Sequence, residues 1–268
     1  MSERLSVDLR GHVADVRMVR ADKLNALDYA MFQGLIETGR ALARQRGVRA
    51  VVLSGEGRAF SAGLDFASFM AMAATGERVP SLLDRDGSSI ANTAQLAAWV
   101  WKELPVPVIA AVHGVCYGGA LQIAAAADIR IVHPESKLSV REMYWGLVPD
   151  MSGTRTLKHL LRSDVLKELA FTARIVSGTE AVSLGLATRA SDDPREAALE
   201  LAEQIAASSP HAMRATKRLL DRAYEIADDA PGLLLEEELQ RTLLGSANQM
   251  EAVQANMEKR PPVFTDPE

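Results

Sequence analysis

The order of three segments in the middle of the chain constrains the fold more than any other feature. The apolar run Val108–Val112 has the length of a buried strand, Gly118–Ala127 predicts a helix of small residues, and Asp128–Val132 predicts another buried strand. Parallel neighbouring strands need a crossover connection, which a helix commonly supplies. Strand, helix and strand in this order therefore predict an α/β fold with parallel pairing.

The segments before this unit extend the α/β pattern toward the N-terminus. Leu5–Arg10 and Val13–Val19 alternate as the strands of a hairpin do, and Ala50–Ser54 predicts a short buried strand. Asp28 is placed to cap a helix that follows it. The small-residue stretch Phe66–Pro80 predicts a partly mobile loop or a loose helix.

Beyond residue 193 the pattern becomes almost wholly helical. Amphipathic segments are separated by proline, glycine or aspartate pairs, and they show no obvious core of their own, which is typical of helices that pack on a partner. We therefore predict a core with the site in residues 1–193 and a helical region in 194–268 that packs at an oligomer interface.

Composition excludes several classes of function. The chain has 268 residues, 48% of them hydrophobic, and a formal net charge of −5, which is ordinary for a globular protein and argues against a dedicated nucleic-acid binder. Its single cysteine, Cys116, rules out an intramolecular disulfide framework and is expected to be a buried packing thiol. The five histidines form no zinc motif. No apolar stretch of about 18 residues is present to span a membrane, so we expect no membrane association and a cytoplasmic location.

Two glycine-bearing turns and two acids carry the chemical information. Gly57–Asp65 follows one predicted strand, and His113–Ala120 follows another. If each turn directs a backbone N–H toward a shared point, the two donors form an oxyanion hole. The alternative is that the glycines only permit tight turns or close packing. Downstream, Glu142 and Asp150 are placed for proton transfer, so the pattern indicates an enzyme that stabilises an enolate.

These features belong to a series of segments that together resemble the crotonase superfamily, also called the enoyl-CoA hydratase/isomerase family. The resemblance covers nearly the whole chain in order. The matching segments are Asp22–Leu27, Gly57–Asp65, Pro107–Arg130, Gly146–Pro149, Thr179–Ala187 and Glu258–Phe264. It implies a spiral of ββα units, a C-terminal helical trimerisation region, and a homotrimer or hexamer. It also implies a CoA thioester substrate, with no metal and no other cofactor.

The resemblance assigns the ligand contacts position by position. It implies that the N–H groups of Ala62 and Gly119 are the oxyanion donors. It also implies that backbone groups from Ala62 to Leu64 bind the adenine and pantetheine parts of CoA. The candidates for the CoA phosphates are Lys23, Arg58 and Lys259, the last from this or a neighbouring subunit. The alternative for each is a solvated surface charge. Candidate residues for the acyl pocket are Phe66, Phe69, Met70, Met72, Tyr144 and Trp145.

The acids depart from the pattern of family hydratases, which use two glutamates. The first glutamate position is Gln122 here, and the second is Glu142. An amide cannot act as a base near neutral pH, but Gln122 could hold a water or orient Glu142. Acids at the positions of Glu142 and Asp150 resemble those of dienoyl-CoA isomerases. Glu142 could instead pair with Arg141, and Asp150 could cap a helix or form an Asx-turn.

We therefore expect double-bond isomerisation of an enoyl- or dienoyl-CoA first and hydration of a 2-enoyl-CoA second. In either reaction Glu142 moves a proton, Asp150 is the second acid and Gln122 supports them. A catalytically weak acyl-CoA-binding protein is a rival that the lost glutamate supports. Hydrolysis or dehalogenation through an Asp150 nucleophile is a third possibility.

Overall fold

The computed structural model describes residues 3–74, 81–85, 87, 89–223, 225 and 228–267, and these form a mixed α/β fold. The strands are β1 (Leu5–Arg10), β2 (Val13–Met18), β3 (Ala50–Gly55), β4 (Val108–Val112), β5 (Val115–Tyr117), β6 (Ile129–Val132), β7 (Lys137–Ser139), β8 (Val176–Ser177) and β9 (Arg189–Ala190). The α-helices are α1 (Tyr29–Arg44), α2 (Phe66–Ala74), α3 (Thr93–Glu103), α4 (Gly119–Ala126), α5 (Gly153–Thr156), α6 (Ser163–Thr172), α7 (Gly178–Leu184), α8 (Pro194–Ala206), α9 (Pro210–Ala223), α10 (Asp229–Leu243) and α11 (Ala247–Glu258).

The strands form two sheets. The larger has the order β1-β2-β3-β4-β6-β9, in which β1 and β2 are antiparallel and every other neighbour is parallel. The smaller has the order β5-β7-β8. The chain passes from β4 to β5 and then into α4, and again from β6 to β7 before the next helices. This alternation between the sheets confirms the predicted spiral of ββα units and the parallel pairing of β4 with β6.

Local signals account for the helix boundaries near the site. Helix α1 begins after Asp28, whose side chain accepts a hydrogen bond from the Met31 N–H, as predicted. Helix α3 begins at Thr93 because Asn92 and Gln95 form a capping box. The sequence predicts this helix over Ser88–Leu104, ended by the prolines at 105 and 107, so the observed helix is shorter. Ser88 itself lies outside the described residues. The loose segment expected at 66–80 includes the regular helix α2, and its residues 75–80 lie outside the described part of the chain.

Helices cover both faces of the larger sheet. Helices α1, α3 and α4 pack on one face around side chains such as Phe32 and Trp101. On the other face, Ala198, Leu199 and Ala202 of α8 pack against the strands. Helix α8 therefore belongs to the core layer although it lies beyond the predicted boundary at 193. The division into two domains at residue 193 stays a prediction.

The last three helices bury little apolar surface within this chain. Leu239 is the buried hydrophobic side chain of α10, and Ala255 is that of α11. Large exposed hydrophobic side chains of this region are Leu220, Leu233, Leu234, Leu244, Met250, Val253, Met257 and Val263. Such faces are expected to be covered by another protein surface, which supports the prediction of an oligomer interface without testing it. In the described residues, no helix combines the length and apolar character needed to cross a membrane.

Candidate active site

The two glycine-bearing turns lie side by side. The Ser61 N–H donates to the Val115 carbonyl oxygen at 3.0 Å, and the Tyr117 N–H donates to the Ser61 carbonyl oxygen at 3.3 Å. Gly63 has a φ of +87°, and a Cβ there would lie 2.5 Å from the Tyr117 carbonyl oxygen. Glycine is therefore required at position 63, because only its small size lets the first turn approach the second.

The backbone donors of the first turn correct one prediction. The Ala62 N–H donates to the Leu24 carbonyl oxygen at 2.9 Å, so Ala62 is not an available oxyanion donor. The N–H of Leu64, two residues further on, has no acceptor among the described residues. The same holds for the N–H of Gly119. Both residues line the same cavity. The available donor pair is therefore Leu64 and Gly119.

Gly119 is well placed to act on negative charge. It is the first residue of α4, where backbone N–H groups lack intrahelical acceptors and the helix dipole contributes positive potential. Its Cβ position would lie 2.5 Å from the Met151 Sδ, so this turn also packs closely against the loop after the acids. The glycines therefore do permit close packing, as the alternative proposed. The two turns also leave the N–H groups of Leu64 and Gly119 without a protein acceptor in the described part of the chain.

A loop upstream holds the first turn in place, and sequence reasoning missed its main residue. Asn25 donates through Nδ2 to the carbonyl oxygens of Glu56 and Ala59, both at 2.9 Å. Asn25 has a φ of +53°, a conformation that asparagine tolerates better than most residues. The signal that could have identified Asn25 was its position inside Asp22–Leu27, one of the segments that carry the family resemblance.

Asp65 braces the same turn. Burial opposes ionisation of Asp65, but hydrogen bonds from Ser68 and the ion pair with Arg20 outweigh it and lower the pKa of Asp65 to about 2. Asp65 is therefore ionised throughout the neutral range and supports the loop.

A cavity of about 150 Å³ contains both turns and both acids. Its lining consists of Phe32, Ala62, Gly63, Leu64, Phe66, Leu82, Ala94, Tyr117, Gly118, Gly119, Arg141, Glu142, Trp145, Leu147, Asp150 and Met151. Most of these side chains are apolar, so charges placed among them act in a medium of low polarity.

The candidate acyl-pocket residues divide into two groups. Phe66 and Trp145 line the cavity and stack on each other with ring centroids 4.3 Å apart. Phe69 packs edge-on against Phe32, while Tyr144 and Met70 are exposed. Met72 lies in α2 and does not belong to the cavity lining.

Glu142 begins a 3-10 turn, Glu142–Trp145, directly beside the second glycine turn. Only 7% of the residue is exposed. Its Oε1 accepts a hydrogen bond from Gln122, whereas its Oε2 is buried with no hydrogen-bond partner in the described part of the protein. Burial raises the pKa of Glu142, and the charge of Asp150 adds to this rise, while hydrogen bonds including that from Gln122 oppose it. Glu142 therefore offers one free oxygen and a strengthened basicity.

Gln122, on α4, holds Glu142 in place. Its Oε1 accepts from the N–H groups of Met151 and Gly153, both at 2.9 Å, while its Nε2 donates to Glu142. Since a backbone N–H can only donate, the orientation of this amide is determined. Gln122 thus links Glu142 to the loop that follows Asp150. Its Oε1 already accepts two hydrogen bonds and is not free to accept a proton.

Asp150 lies on the wall of the same cavity, and its residue is exposed to solvent. Loss of hydration at the carboxyl nevertheless raises its pKa. Asp150 caps no helix, because Ser152 is the N-cap of α5 and Gln122 takes the N–H groups of Met151 and Gly153. The alternative of a capping aspartate is therefore wrong.

Arg141 does not pair with Glu142. Its guanidinium lies 4.2 Å from the ring centroid of Tyr144 and 5.6 Å from that of Tyr117, and its Nη1 donates to the Ala173 carbonyl oxygen at 2.9 Å. The alternative in which Glu142 is only the salt-bridge partner of Arg141 is wrong as well.

The three candidate cations for CoA lie outside the cavity lining. Lys23 and Arg58 are exposed on the neighbouring segments that Asn25 joins, whereas Lys259 follows α11 in the C-terminal region. Their contact with CoA stays a prediction. Cys116 is fully buried, and burial raises the pKa of its thiol far above neutrality, which confirms the packing role.

Comparison with known proteins gives a consistent family. The family model described as "Enoyl-CoA hydratase/isomerase" matches residues 8–267. The chain is 32% identical over 265 residues to the mitochondrial Delta(3,5)-Delta(2,4)-dienoyl-CoA isomerase of Pongo abelii, covering 93% of this chain and 77% of that protein. It is 31% identical over 243 residues to a protein of Bacillus subtilis (strain 168) named "Probable enoyl-CoA hydratase", covering 90% of each.

The fold also matches solved structures. The crystal structure of enoyl-CoA hydratase from Bacillus anthracis superposes with a TM-score of 0.85 at 27% identity, and the match covers 98% of this chain and 99% of that one. The likeness thus extends over the helical C-terminal region as well as the sheets.

Proposed function

The chain belongs to the enoyl-CoA hydratase/isomerase family, and from this membership we propose that it moves a double bond along the acyl chain of an enoyl- or dienoyl-CoA thioester. The observation that carries the choice of isomerisation is the state of the three polar side chains near the thioester position. Glu142 and Asp150 line one cavity as carboxyls, while Gln122 is an amide whose Oε1 and Nε2 both form hydrogen bonds. Two acids suit a transfer of one proton between two carbons.

In the proposed reaction the thioester carbonyl oxygen binds between the N–H groups of Leu64 and Gly119. Glu142, which lies beside the second turn, removes a proton from the α-carbon, and the electron pair enters the conjugated enolate. The two N–H donors stabilise the negative oxygen that forms. A more distant carbon of the enolate then takes a proton from the carboxylic acid form of Asp150, and the double bond ends in its new position. Only protons move, so the reaction needs no redox cofactor and no metal.

The raised pKa values suit this cycle. Glu142 must begin as a carboxylate and Asp150 as an acid, so the pair carries a single negative charge. Burial of Glu142, the loss of hydration at the Asp150 carboxyl, and the effect of the Asp150 charge on Glu142 all disfavour the doubly ionised state. Transfer of the proton exchanges the two charge states, and the exposure of Asp150 lets solvent restore the starting one.

Hydration of a 2-enoyl-CoA is the second candidate, since one relative bears the name of a hydratase. It would place a water at the free Oε2 of Glu142 and dispense with a second glutamate. General acid–base groups contribute about 10²–10⁴-fold each, so a hydratase that lacks one should be slow.

The deciding experiment measures products and solvent deuterium incorporation with 2-enoyl-, 3-enoyl- and 3,5-dienoyl-CoA thioesters. We expect a shifted double bond with deuterium at the new C–H. Formation of 3-hydroxyacyl-CoA from the 2-enoyl substrate without isomerisation would establish the hydratase instead. Tight binding with neither product nor α-proton exchange would identify a binding protein, and a covalent adduct on Asp150 in mass spectra would point to nucleophilic chemistry.

The oxyanion hole has its own test at Gly119. Proline is tolerated at the first position of a helix and has no N–H, so Gly119→Pro removes the donor and leaves α4 able to form. Gly119→Ala is the matched control, because it adds a Cβ in the same place beside Met151 but keeps the N–H. We expect kcat of the proline variant to be about 10²–10³-fold below that of the alanine variant. Equal rates in the two variants would exclude Gly119 as a donor.

Three further features belong to the proposal. Lys23, Arg58 and a neighbouring subunit's copy of Lys259 contact the CoA phosphates, the exposed apolar faces of the last three helices pack in a homotrimer or hexamer, and the enzyme acts in the cytoplasm. The first two are supported by exposure of these side chains in the single chain.

A further inference from the structure

Arg141 is a cation on the wall of the cavity whose charge has no acid partner among the described residues. It lies next to Glu142 in sequence, yet its guanidinium turns toward Tyr117 and Tyr144. One of its five N–H donors is used by the Ala173 carbonyl oxygen. The remaining donors have no protein acceptor in the described part of the chain, and the residue is half-buried.

The position of Arg141 is set by the contacts around it. Its Cβ lies 3.7 Å from where a Cβ of Gly118 would be, which places the residue beside the second glycine turn. Tyr144 packs edge-on against Trp145, and Trp145 in turn stacks on Phe66. A flat guanidinium held on aromatic rings and tied to a carbonyl oxygen is oriented before any ligand arrives.

A half-buried cation without a counter-charge favours an anionic ligand group. A carboxylate is the group whose two oxygens fit the forked donors of arginine. The cavity measures only about 150 Å³ and also contains the oxyanion donors Leu64 and Gly119. A group that reaches Arg141 inside this cavity is therefore close to the thioester carbonyl, whereas the long pantetheine arm separates the CoA phosphates from that carbonyl.

We propose that Arg141 binds a carboxylate on the acyl chain, so that the preferred substrates are CoA thioesters of short dicarboxylic acids. The proposal rests on the proposed function, since it takes the acyl group to bind in this cavity. Arg141 is a specificity residue here: it contacts the distal group of the acyl chain and takes no part in moving the proton.

The test compares two saturated ligands of equal carbon number, pentanoyl-CoA and glutaryl-CoA, which differ in a terminal carboxylate. Binding is measured by calorimetry, and exchange of the α-protons in deuterium oxide is measured by NMR. We expect the wild-type protein to bind glutaryl-CoA about 10- to 100-fold more tightly, the range expected for hydrogen bonds to a charged group. Arg141→Gln should lose this preference and keep the affinity for pentanoyl-CoA.

Arg141→Lys and Arg162→Gln serve as companion variants. The lysine keeps the charge without the fork, so it should retain part of the preference, and it stays informative if the glutamine variant fails to fold. Arg162 is exposed and pairs with Asp164 away from the cavity, so Arg162→Gln should behave as wild type. Circular dichroism of each variant reports folding.

The other outcomes separate the claims. Equal affinity of the wild-type protein for the two ligands, with α-proton exchange intact, overturns the role of Arg141 and leaves the proposed function standing. Equal weakening of both ligands in Arg141→Gln, with no change for the corresponding pantetheine thioesters, would assign Arg141 to a CoA phosphate and overturn the carboxylate. Absence of both binding and exchange in the wild-type protein would overturn the proposed function together with this inference.

Discussion

Glu142 and Asp150 line one cavity but are held in opposite ways. Glu142 is buried, and Gln122 ties it to the backbone N–H groups of Met151 and Gly153. Asp150 is exposed, and no side chain of another described residue bonds to its carboxyl. In the proposed reaction this difference is a division of labour, in which a fixed acid acts at a defined carbon while a solvent-connected acid supplies and recovers protons.

The largest effect is expected from Glu142→Gln. Removing the fixed base should lower turnover and α-proton exchange together, by about 10²–10⁴-fold. Binding of a non-reacting acyl-CoA should persist, because the oxyanion donors are backbone groups. Steady-state kinetics and calorimetry on the same preparation check this, and near-normal exchange in the variant would remove Glu142 from the mechanism.

Asp150→Asn should separate two rates that Glu142→Gln lowers together. Glu142 still forms the enolate, so α-proton exchange should continue, while formation of the isomerised product falls by about 10²-fold, the lower end for a general acid. The measurement is deuterium exchange and product formation in one sample. A parallel loss of both rates would mean that the two acids act as one unit and would break the proposed division of labour.

Gln122→Leu should have a smaller effect because it alters the position of Glu142 and leaves its chemistry in place. We expect kcat to fall about tenfold, the value of a hydrogen bond to a charged group, with little change in KM. The hydrogen bond from Gln122 lowers the pKa of Glu142, so its removal raises that pKa.

This variant also has a pH signature. Activity requires the carboxylate form of Glu142, so the acidic limb of the pH–rate profile should move to higher pH. Gln122→Glu keeps the acceptor for Met151 and Gly153 but places a second acid against Glu142, so it should move the limb in the same direction. An unmoved acidic limb in Gln122→Leu would show that Gln122 does not act through Glu142.

The segments of the site could be predicted from the sequence, because each turn follows a strand and carries its own glycines. The hydrogen bonds that decide which backbone N–H stays free in the first turn could not be predicted. Which N–H remains free in Gly57–Asp65 depends on the hydrogen bond from Ala62 to Leu24, a residue of a loop almost forty positions earlier. Local pattern carries no information about that contact, so the donor was misplaced by two residues.

The sequence also did not show which of the late helices pack on the sheet of this chain. Helix α8 carries an amphipathic pattern, as its successors do, yet its small residues Ala198 and Ala202 lie directly on the strands, while α10 exposes Leu233 and Leu234. An apolar stripe predicts burial but does not say whether the surface that buries it belongs to this chain. Adjacency likewise offered an Arg141–Glu142 pair as an alternative, but the Arg141 guanidinium packs on aromatic rings and donates to the Ala173 carbonyl oxygen.

The hydrogen bonds of Gln122 have a consequence for how such enzymes diverge. Glutamine and glutamate codons differ by one base, and a glutamate at position 122 can accept the same two backbone N–H groups. Its second oxygen would then face Oε1 of Glu142 where the Nε2 donor now lies, so the two carboxyl groups would have to share a proton. The two proposed reaction outcomes thus lie one base change apart, at a residue whose two contacts with the backbone are the same in either case.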